Sequence, residues 1–402
     1  MNSRRNIVIG AILLVVLTFL ITAGGALYLF DQMVPDTTGA VKLMRAIDVV
    51  RSRYIEEVPV ERLMSGAIRG MVNSLNDPYS IYMDAKMYKE FRMETEGSFS
   101  GVGIVISVKD KLLTVVSPIE GTPGEKAGIR SGDQILKIDG QDTKDLALDE
   151  AVGKIRGKEG TDVTLTLRRG EKSWDVKLTR ANIQIKTVSS RILPDKIAVI
   201  RLSMFNEQTA GEFNKQYEAM EAQGMKALIL DLRDNPGGLL DSSVRVANKL
   251  VPKGPVVSVV TRDGEKEVHY SKLEQMKYPL VVLVNGGSAS ASEIVAGAVQ
   301  DTGAGTLIGT KTFGKGSVQS IVKLSNDTAI KLTIAKYATP KNRFINGIGI
   351  EPDVKVENPE NKNGTESMPG RLPYANKDGQ TGAGAPPDLQ MEAAINLLKG
   401  KI

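Results

Sequence analysis

Three short apolar segments constrain the fold of this 402-residue chain more than any other feature. They are KIAVIRLSMF at 196–205, MKALILDLR at 225–233 and YPLVVLVN at 278–285. Nearly continuous apolar runs of this length are typical of strands that helices bury on both faces. Segments 239–250 and 290–302 have the pattern of helices. The sequence therefore predicts an α/β core, a mixed β-sheet with flanking helices.

The composition excludes several classes of function. The chain has no cysteine, which rules out disulfides, thiol catalysis and thiolate metal sites. With a single histidine, His269, an imidazole-rich metal site is not expected, and no metal or cofactor is predicted. The alternating segment KEVHY predicts that His269 lies on a half-exposed strand and is not part of a catalytic triad. The net charge of +5 is not clustered with aromatic residues, so no nucleic-acid partner is expected.

The N-terminal segment Ile7–Phe30 contains no charged residue. As a helix it would be about 36 Å long, which is enough to span a bilayer. Arg4 and Arg5 precede it, so the N-terminus is expected in the cytoplasm and the remaining chain outside. A cleaved signal peptide is the alternative, but the run exceeds the usual apolar region of roughly 7–15 residues. Residues 1–30 are therefore predicted to anchor an extracytoplasmic protein of the bacterial envelope to the cell membrane.

Two further segments have apolar faces without an evident partner. Residues 31–96 are predicted to form a helical arm in which Leu43, Ile47, Val50 and Tyr54 share one face. Residues 359–402 are predicted to form a mobile linker and a short helix that Asp388 caps, with Leu389, Ala393 and Leu397 on one face. Because such faces are unfavourable in water, a homodimer is expected.

Residues 97–181 have short β-branched runs broken by Gly, Pro and Asp, as in a domain of short strands and turns. This segment resembles a PDZ domain. GVGIVI is similar to the carboxylate-binding loop of that family, and GTPGEKAGIRSGDQILKIDG to its most characteristic stretch. Backbone N–H groups of such a loop can converge on a carboxylate, and the strand after it can pair with an extended peptide. The residues assigned to this site are Gly101, Val102, Gly103, Ile104 and Ile106; for the two glycines, simple turn chemistry is the alternative.

The segment GGSASASEIVAGAVQD, residues 286–301, follows the third apolar strand. Its small residues allow a tight turn into a helix, where free N–H groups stabilise developing negative charge. Ser288, Ser290 and Ser292 all lie at this turn, and each could simply cap the helix. Ser288 is the better candidate for the cap and Ser290 for the first exposed turn, but the residues alone do not decide between them.

The stretch GTKTFGKGS, residues 309–317, resembles a phosphate-binding loop as far as Lys315. A P-loop requires Ser or Thr directly after the lysine to bind the magnesium of the nucleotide, and Gly316 occupies that position. No nucleotide partner is therefore predicted. A turn with a solvated lysine is the simplest alternative.

The motifs GSASASEIVAGAVQD and TFGKGSVQS, together with DLRDNPGGLLD and NGIGIEPDV, resemble those of the carboxyl-terminal processing proteases. These are serine peptidases with a Ser–Lys dyad, and the resemblance extends over residues 38–400. It implies a protease core at 182–358 that carries an inserted PDZ domain. It also implies that Ser290 is the nucleophile, Lys315 the general base and Gln319 the residue that orients the lysine.

The chemistry of such a dyad requires a neutral lysine. At its ordinary pKa of about 10.4 a lysine is protonated at pH 7, but burial among apolar groups lowers this value. Phe313 and Val318 are expected to supply these surroundings. The oxyanion hole would use the backbone N–H of Ala291 and that of Gly237 or Gly238.

The predicted function is a serine endopeptidase that recognises polypeptides with free apolar C-termini. A non-catalytic PDZ adaptor or holdase on the same scaffold is the alternative. Asp301 follows Ser290 by 11 residues, a rise of about 16 Å along a helix, so it is too far to bond to the nucleophile and is expected to anchor a loop. Asp231 and Asp234 are expected to hold backbone segments; a catalytic carboxylate pair is the alternative there, but no second motif supports it.

Overall fold

The computed structural model describes residues 12–25, 28, 37–109, 112–144, 146–359 and 387–402. The helices are α1 (12–25), α2 (Thr37–Arg53), α3 (Val60–Asn73), α4 (Ala85–Glu96), α5 (Pro123–Lys126), α6 (Leu148–Ile155), α7 (Thr209–Ala222), α8 (Leu240–Ala247), α9 (Ala291–Thr302) and α10 (Leu389–Lys399). The strands are β1 (Ile81–Met83), β2 (Ser98–Gly101), β3 (Ile104–Lys109), β4 (Leu112–Pro118), β5 (Gln134–Ile138), β6 (Gln141–Asp142), β7 (Asp162–Arg169), β8 (Lys172–Thr179), β9 (Ala181–Gln184), β10 (Val188–Ile192), β11 (Ile197–Leu202), β12 (Ala227–Asp231), β13 (Gly254–Thr261), β14 (Lys266–Ser271), β15 (Leu280–Val284), β16 (Thr306–Gly309), β17 (Ser317–Lys323), β18 (Ala329–Ala338) and β19 (Val354–Lys355).

The chain separates into two compact units, 1–82 and 83–402. The predicted helical arm contains the helices α2, α3 and α4, with the short strand β1 before α4. Leu43, Val50 and Tyr54 of the predicted apolar face are exposed. Several residues of the predicted anchor lie outside the described residues, as do residues 360–386 of the predicted linker. Among the residues that the structure describes, no helix is both long and apolar enough to cross a bilayer.

Residues 98–184 form a small β-rich module. Its main sheet has the strand order β3-β4-β5-β7-β8, with β6 paired to β5. Alternate residues of these strands point into one core, among them Ile135, Leu165 and Leu167, which are fully buried. Strand β3 lies at the edge of the sheet, next to helix α6. At the entrance and exit of the module, β2 pairs with β9 in antiparallel fashion, from Ser98 opposite Gln184 to Gly101 opposite Ala181.

The core of the larger unit is a mixed six-stranded sheet with the order β10-β11-β12-β15-β16-β19. Only β10 within it is antiparallel to its neighbour. Successive residues of the central strands pack on opposite faces. Ile200 and Leu230 face the cluster that includes residues of α7, α8 and α9, whereas Val199 and Ile229 face the cluster formed with α10. The predicted α/β core is therefore confirmed.

Helix α10 covers the second face of this sheet, so the expectation of an exposed apolar tail helix is wrong. The predicted face is confirmed in part, since Ala393 and Leu397 pack against the sheet but are only partly buried. Met391, Ala394 and Leu398 are buried against the sheet, whereas Leu389 is 37% exposed. The cap is as predicted, since the Asp388 carboxylate accepts a hydrogen bond from the Met391 N–H at 3.1 Å.

An antiparallel sheet with the order β17-β18-β13-β14 lies in the same unit. The hairpin of β17 and β18 directly follows residues 309–316, which carry Lys315 and are called the lysine loop below. A P-loop lysine precedes a helix, but here a strand follows it. This local structure is a second argument against nucleotide binding.

Candidate active site

The turn after β15 distinguishes the three candidate serines. The Ser288 hydroxyl donates to the Leu232 carbonyl at 2.8 Å, and the Ser292 hydroxyl donates to the Asn235 carbonyl at 2.9 Å. Both side chains are fully buried. Ser290 is only partly buried, and it is also the N-cap residue of α9, so the assignment of the cap to Ser288 is wrong. Two serines thus hold the turn together, while the third is accessible.

Ser290 has an unusual backbone conformation, with φ 53° and ψ −113°. Such a conformation costs a non-glycine residue about 1–3 kcal/mol and persists only where the surroundings impose it. Gly237 packs directly against this turn. A Cβ atom at position 237 would lie 2.5 Å from the Ala289 carbonyl oxygen and 2.8 Å from Ser290 Cβ, so only glycine fits.

Glu293, which the sequence analysis did not single out, connects the serine turn to the lysine loop through hydrogen bonds. Its carboxylate is fully buried, and both of its oxygens accept hydrogen bonds. One oxygen accepts from the N–H groups of Ser290 and Lys315, both at 2.9 Å. The other accepts from the Thr312 hydroxyl at 2.5 Å and from the Gly314 N–H at 2.8 Å. The helix that begins at the serine is thereby tied to the loop that carries the lysine.

The position of Glu293 does leave a signal in the sequence. It follows Ser290 by three residues, which is the spacing of a capping box, in which a glutamate bonds back to the N-cap main chain. That spacing would have favoured Ser290 as the cap. It would not have revealed the bonds to the lysine loop, because these depend on tertiary packing.

Tyr337 of β18 makes the second connection between these segments. Its hydroxyl lies 3.0 Å from the Ser290 carbonyl oxygen and 2.7 Å from that of Lys315. Its N–H donates to the Gly316 carbonyl at 2.9 Å. Burial raises the pKa of Tyr337 well above its usual range, and the negative charge of Glu293 raises it further. The hydroxyl therefore remains a proton donor at every physiological pH.

The lysine loop is backed by the turn of the NGIG motif. A Cβ at Gly314 would lie 2.8 Å from the Gly349 nitrogen, and one at Gly316 would lie 2.7 Å from the Asn346 nitrogen. Both glycines are therefore required for this close backbone approach. Lys315 is partly buried. Phe313 is 58% exposed, so the expectation that its ring buries the lysine is wrong.

Gln319 lies on β17 opposite Thr333 of β18. Its side-chain amide donates to the Ser317 hydroxyl at 2.9 Å and to the Thr333 hydroxyl at 3.2 Å. Both bonds use the amide nitrogen and fix the orientation of the whole group. They do not engage its carbonyl oxygen, which is the atom that could accept from a lysine.

The loop 235–238 provides N–H groups beside Ser290. Asn235 is fully buried, and its side chain accepts from the Gly237 N–H at 2.9 Å and donates to the Leu202 carbonyl at 2.9 Å. The Gly237 N–H is therefore already engaged. Among the hydrogen bonds of the described residues, none uses the N–H of Gly238 or of Ala291.

The remaining polar candidates have structural contacts. Asp301 accepts a hydrogen bond from the Lys341 N–H at 2.8 Å and pairs with Arg343. It therefore anchors the loop that follows β18, as expected. Asp231 binds the Arg233 guanidinium, with the closest contact at 2.8 Å, and Asp234 accepts from the Asn285 side chain at 2.8 Å. His269 lies on β14, as predicted, with Nε2 3.5 Å from the Glu267 carboxylate.

The predicted peptide site lies along the open edge of the β-rich module. The Val102 carbonyl accepts a hydrogen bond from the Gly124 N–H in α5, and the Gly103 carbonyl accepts from Ile119 and Thr122 in the preceding loop, which fixes the GVGI segment. The Val102 side chain is buried in the core, so only its backbone is available to a ligand. Ile104 and Ile106 are partly buried at the surface of this core.

An accessible, strained serine at a strand-to-helix turn, placed beside a lysine loop on an α/β core, defines a serine-type peptidase. The β-rich module is a second, separately folded part of the chain. Comparison with protein families agrees with both parts. The peptidase family S41 model matches residues 196–356, a PDZ domain model matches 114–169, and a model described as the activating protease CtpB N-terminal domain matches 30–87.

Named relatives narrow this class further. The chain is 40% identical over 340 residues to carboxy-terminal processing protease CtpA of Bacillus subtilis (strain 168), covering 84% of this chain and 71% of that protein. It is 40% identical over 378 residues to a carboxy-terminal-processing protease of Bartonella bacilliformis, covering 88% and 86%. The chain therefore belongs to the carboxy-terminal processing proteases of peptidase family S41. The solved photosystem II D1 C-terminal processing protease is 31% identical, with a TM-score of 0.47 over 79% of this chain and 92% of that one.

Proposed function

We propose that this protein is an envelope serine endopeptidase that captures polypeptides by their free apolar C-termini and cleaves them with a Ser290–Lys315 dyad. One observation carries the proposal. Glu293 accepts hydrogen bonds from the N–H groups of both Ser290 and Lys315, and the Tyr337 hydroxyl lies within hydrogen-bond distance of both of their carbonyl oxygens. Two separate segments of the chain are thereby held at one site.

In the proposed reaction, neutral Lys315 takes the proton of the Ser290 hydroxyl as its oxygen attacks a peptide carbonyl. The N–H groups of Ala291 and Gly238, which the described part of the protein leaves unused, stabilise the oxyanion of the tetrahedral intermediate. Lysine then returns the proton to the departing amine, and a water activated by the same lysine hydrolyses the acyl-enzyme. The side-chain carbonyl oxygen of Gln319 serves as an acceptor that orients the lysine.

The PDZ unit is proposed to hold the substrate tail. Strand β3 lies at the edge of its sheet beside α6, where an extended peptide can add as a further strand. The backbone N–H groups at 102–103 would bind the terminal carboxylate, while Ile104 and Ile106 contact apolar side chains of the tail. The proposal therefore requires a free carboxylate and not only an apolar sequence.

The cellular setting is also a proposal. The uncharged segment Ile7–Phe30 supports attachment to the cell membrane with the catalytic part outside the cytoplasm.

The exposed apolar residues of α2 support a homodimer. A molar mass that stays monomeric at every concentration would contradict the dimer.

The test uses the purified full chain in detergent and one unstructured peptide with an apolar C-terminus, either free or amidated. We expect the wild-type protein to cleave the free form preferentially, and Ser290→Ala and Lys315→Ala to lower the rate by at least ~10³-fold. Lys311→Ala is the matched control, because Lys311 lies in the same loop, is exposed and pairs with Glu351 at 3.0 Å. Binding without cleavage by the wild type would favour the adaptor alternative.

A further inference from the structure

The backbone of Ser290 is held on both sides. Its N–H donates to Glu293 at 2.9 Å, and its carbonyl oxygen lies 3.0 Å from the Tyr337 hydroxyl. The same two side chains hold Lys315, whose N–H donates to Glu293 at 2.9 Å and whose carbonyl lies 2.7 Å from the Tyr337 hydroxyl. Because Ser290 has a strained backbone, its conformation depends on contacts of this kind.

Tyr337 and Glu293 belong to different elements of the fold. Glu293 belongs to α9 and is therefore local to the serine, whereas Tyr337 lies on β18 and is fixed by a separate sheet. Its N–H bond to Gly316 and its pairing with Val259 of β13 hold it in place. With 1% of its surface exposed, the side chain is shielded from bulk water.

From this geometry we infer that Tyr337 is a positioning residue, whose hydroxyl fixes the main chain of Lys315 relative to that of Ser290. This inference rests on the proposed dyad. Tyr337 acts through the main chain of these two residues and not on the substrate. Its removal would let the lysine loop shift, and a misplacement of about 1 Å is enough to cost catalysis ~10²-fold.

The test is Tyr337→Phe in the full chain, which removes the hydroxyl and keeps the ring. We expect the single-turnover rate constant for peptide cleavage to fall ~10–100-fold while the peptide Kd is unchanged. The acid limb of the pH–rate profile should also move to higher pH, because a less fixed lysine is better hydrated and its pKa approaches the ordinary value. A purely structural role would not move this limb.

Tyr217→Phe is the matched control, since Tyr217 is also a buried tyrosine of the core but contacts Phe213 and Tyr278. It should retain the wild-type rate and pH profile. A saturating rate constant measured with enzyme in excess does not depend on the folded fraction, so a partly unfolded Tyr337→Phe still gives a decisive value. In addition, replacement of Tyr337 by 4-aminophenylalanine keeps a donor and should recover most of the rate.

An unchanged rate and pH profile in Tyr337→Phe would overturn the inference and leave the dyad intact. An equal loss with 4-aminophenylalanine would also overturn it. A wild-type protein that behaves like Ser290→Ala would overturn the dyad and this inference together.

Discussion

Around Ser290 and Lys315, two buried polar side chains hold the N–H and carbonyl groups of both residues, whereas the proposed peptide site along β3 is an open strand edge. Ile104 and Ile106 at that edge are only partly buried. The first site is thus fixed by the protein's own contacts, whereas the proposed second site would be completed by the peptide. Substitutions around Ser290 and Lys315 should therefore lower the rate of cleavage, whereas substitutions along β3 should weaken the affinity for peptide.

The largest effect that would test this comparison is expected for Gly237→Ala. The added Cβ would lie 2.5 Å from the Ala289 carbonyl oxygen at a residue with φ +98°, so the serine turn must move. We expect kcat to fall ~10²-fold or more while the Kd for a C-terminal peptide is unchanged.

The control for this change is Gly286→Ala, because a Cβ at Gly286 meets nothing within 4 Å. It should retain the wild-type kcat. Equal losses in the two variants would show that the turn tolerates no side chain anywhere, and that Gly237 has no special part.

A smaller effect, on affinity instead of rate, is expected for Gly103→Ala. Its Cβ would lie 2.2 Å from Thr122 Cβ, which would displace the loop that is proposed to bind the carboxylate. We expect the peptide Kd, measured by fluorescence anisotropy, to rise at least about tenfold, because a charge-assisted hydrogen bond contributes roughly 1.5–3 kcal/mol and each 1.4 kcal/mol is a factor of about ten. Cleavage at saturating peptide should change much less.

Gly121→Ala is the control that distinguishes backbone strain from the steric clash with Thr122. Its φ of +78° is similar to the +72° of Gly103, but its Cβ would meet nothing within 4 Å. If this variant weakens binding as much as Gly103→Ala, strain alone accounts for the loss and the loop geometry is not specific.

The smallest effect is expected for Asp388→Asn, which should lower the stability of the core without affecting the active site or the proposed peptide site. Burial is the largest single influence on Asp388 and disfavours its charge, but the hydrogen bonds and positive charge of Arg233, together with hydrogen bonds from the Met391 N–H and the Asn358 side chain, hold its pKa below the ordinary value. The stabilisation is therefore fully present above the unfolded pKa of about 3.9 and is lost as the pH falls through the folded value. Because solvent screens this partly exposed carboxylate, we expect the free energy of unfolding to drop by only about 1 kcal/mol at pH 7.

Urea unfolding at pH 7 and at successively lower pH would measure this difference, which should shrink in acid. Asp195→Asn is the control at the other end of α10, where Asp195 and Lys399 form an exposed pair at 2.9 Å. A larger loss for Asp195→Asn would contradict the role of the Asp388–Arg233 pair.

Much of the fold could be predicted from the sequence because it depends on local patterns. Apolar runs marked β11, β12 and β15, and Asp388 marked the start of α10. The amphipathic pattern of α10 predicted its packed face only in part, because its own residues do not reveal that a sheet face remains to be covered. The same holds for Phe313, whose exposure depends on how the loop packs.

The sequence by itself determined the family, the α/β class and the short set of serine and lysine candidates, since these depend on residue order and local periodicity. Only the tertiary structure decided which serine is accessible, and that Glu293 and Tyr337 hold the site together. The physical reason is that a buried polar side chain must find its hydrogen-bond partners wherever packing brings them. For Tyr337 those partners are the carbonyl groups of Ser290 and Lys315, which only the meeting of β18 with α9 and the lysine loop places within its reach.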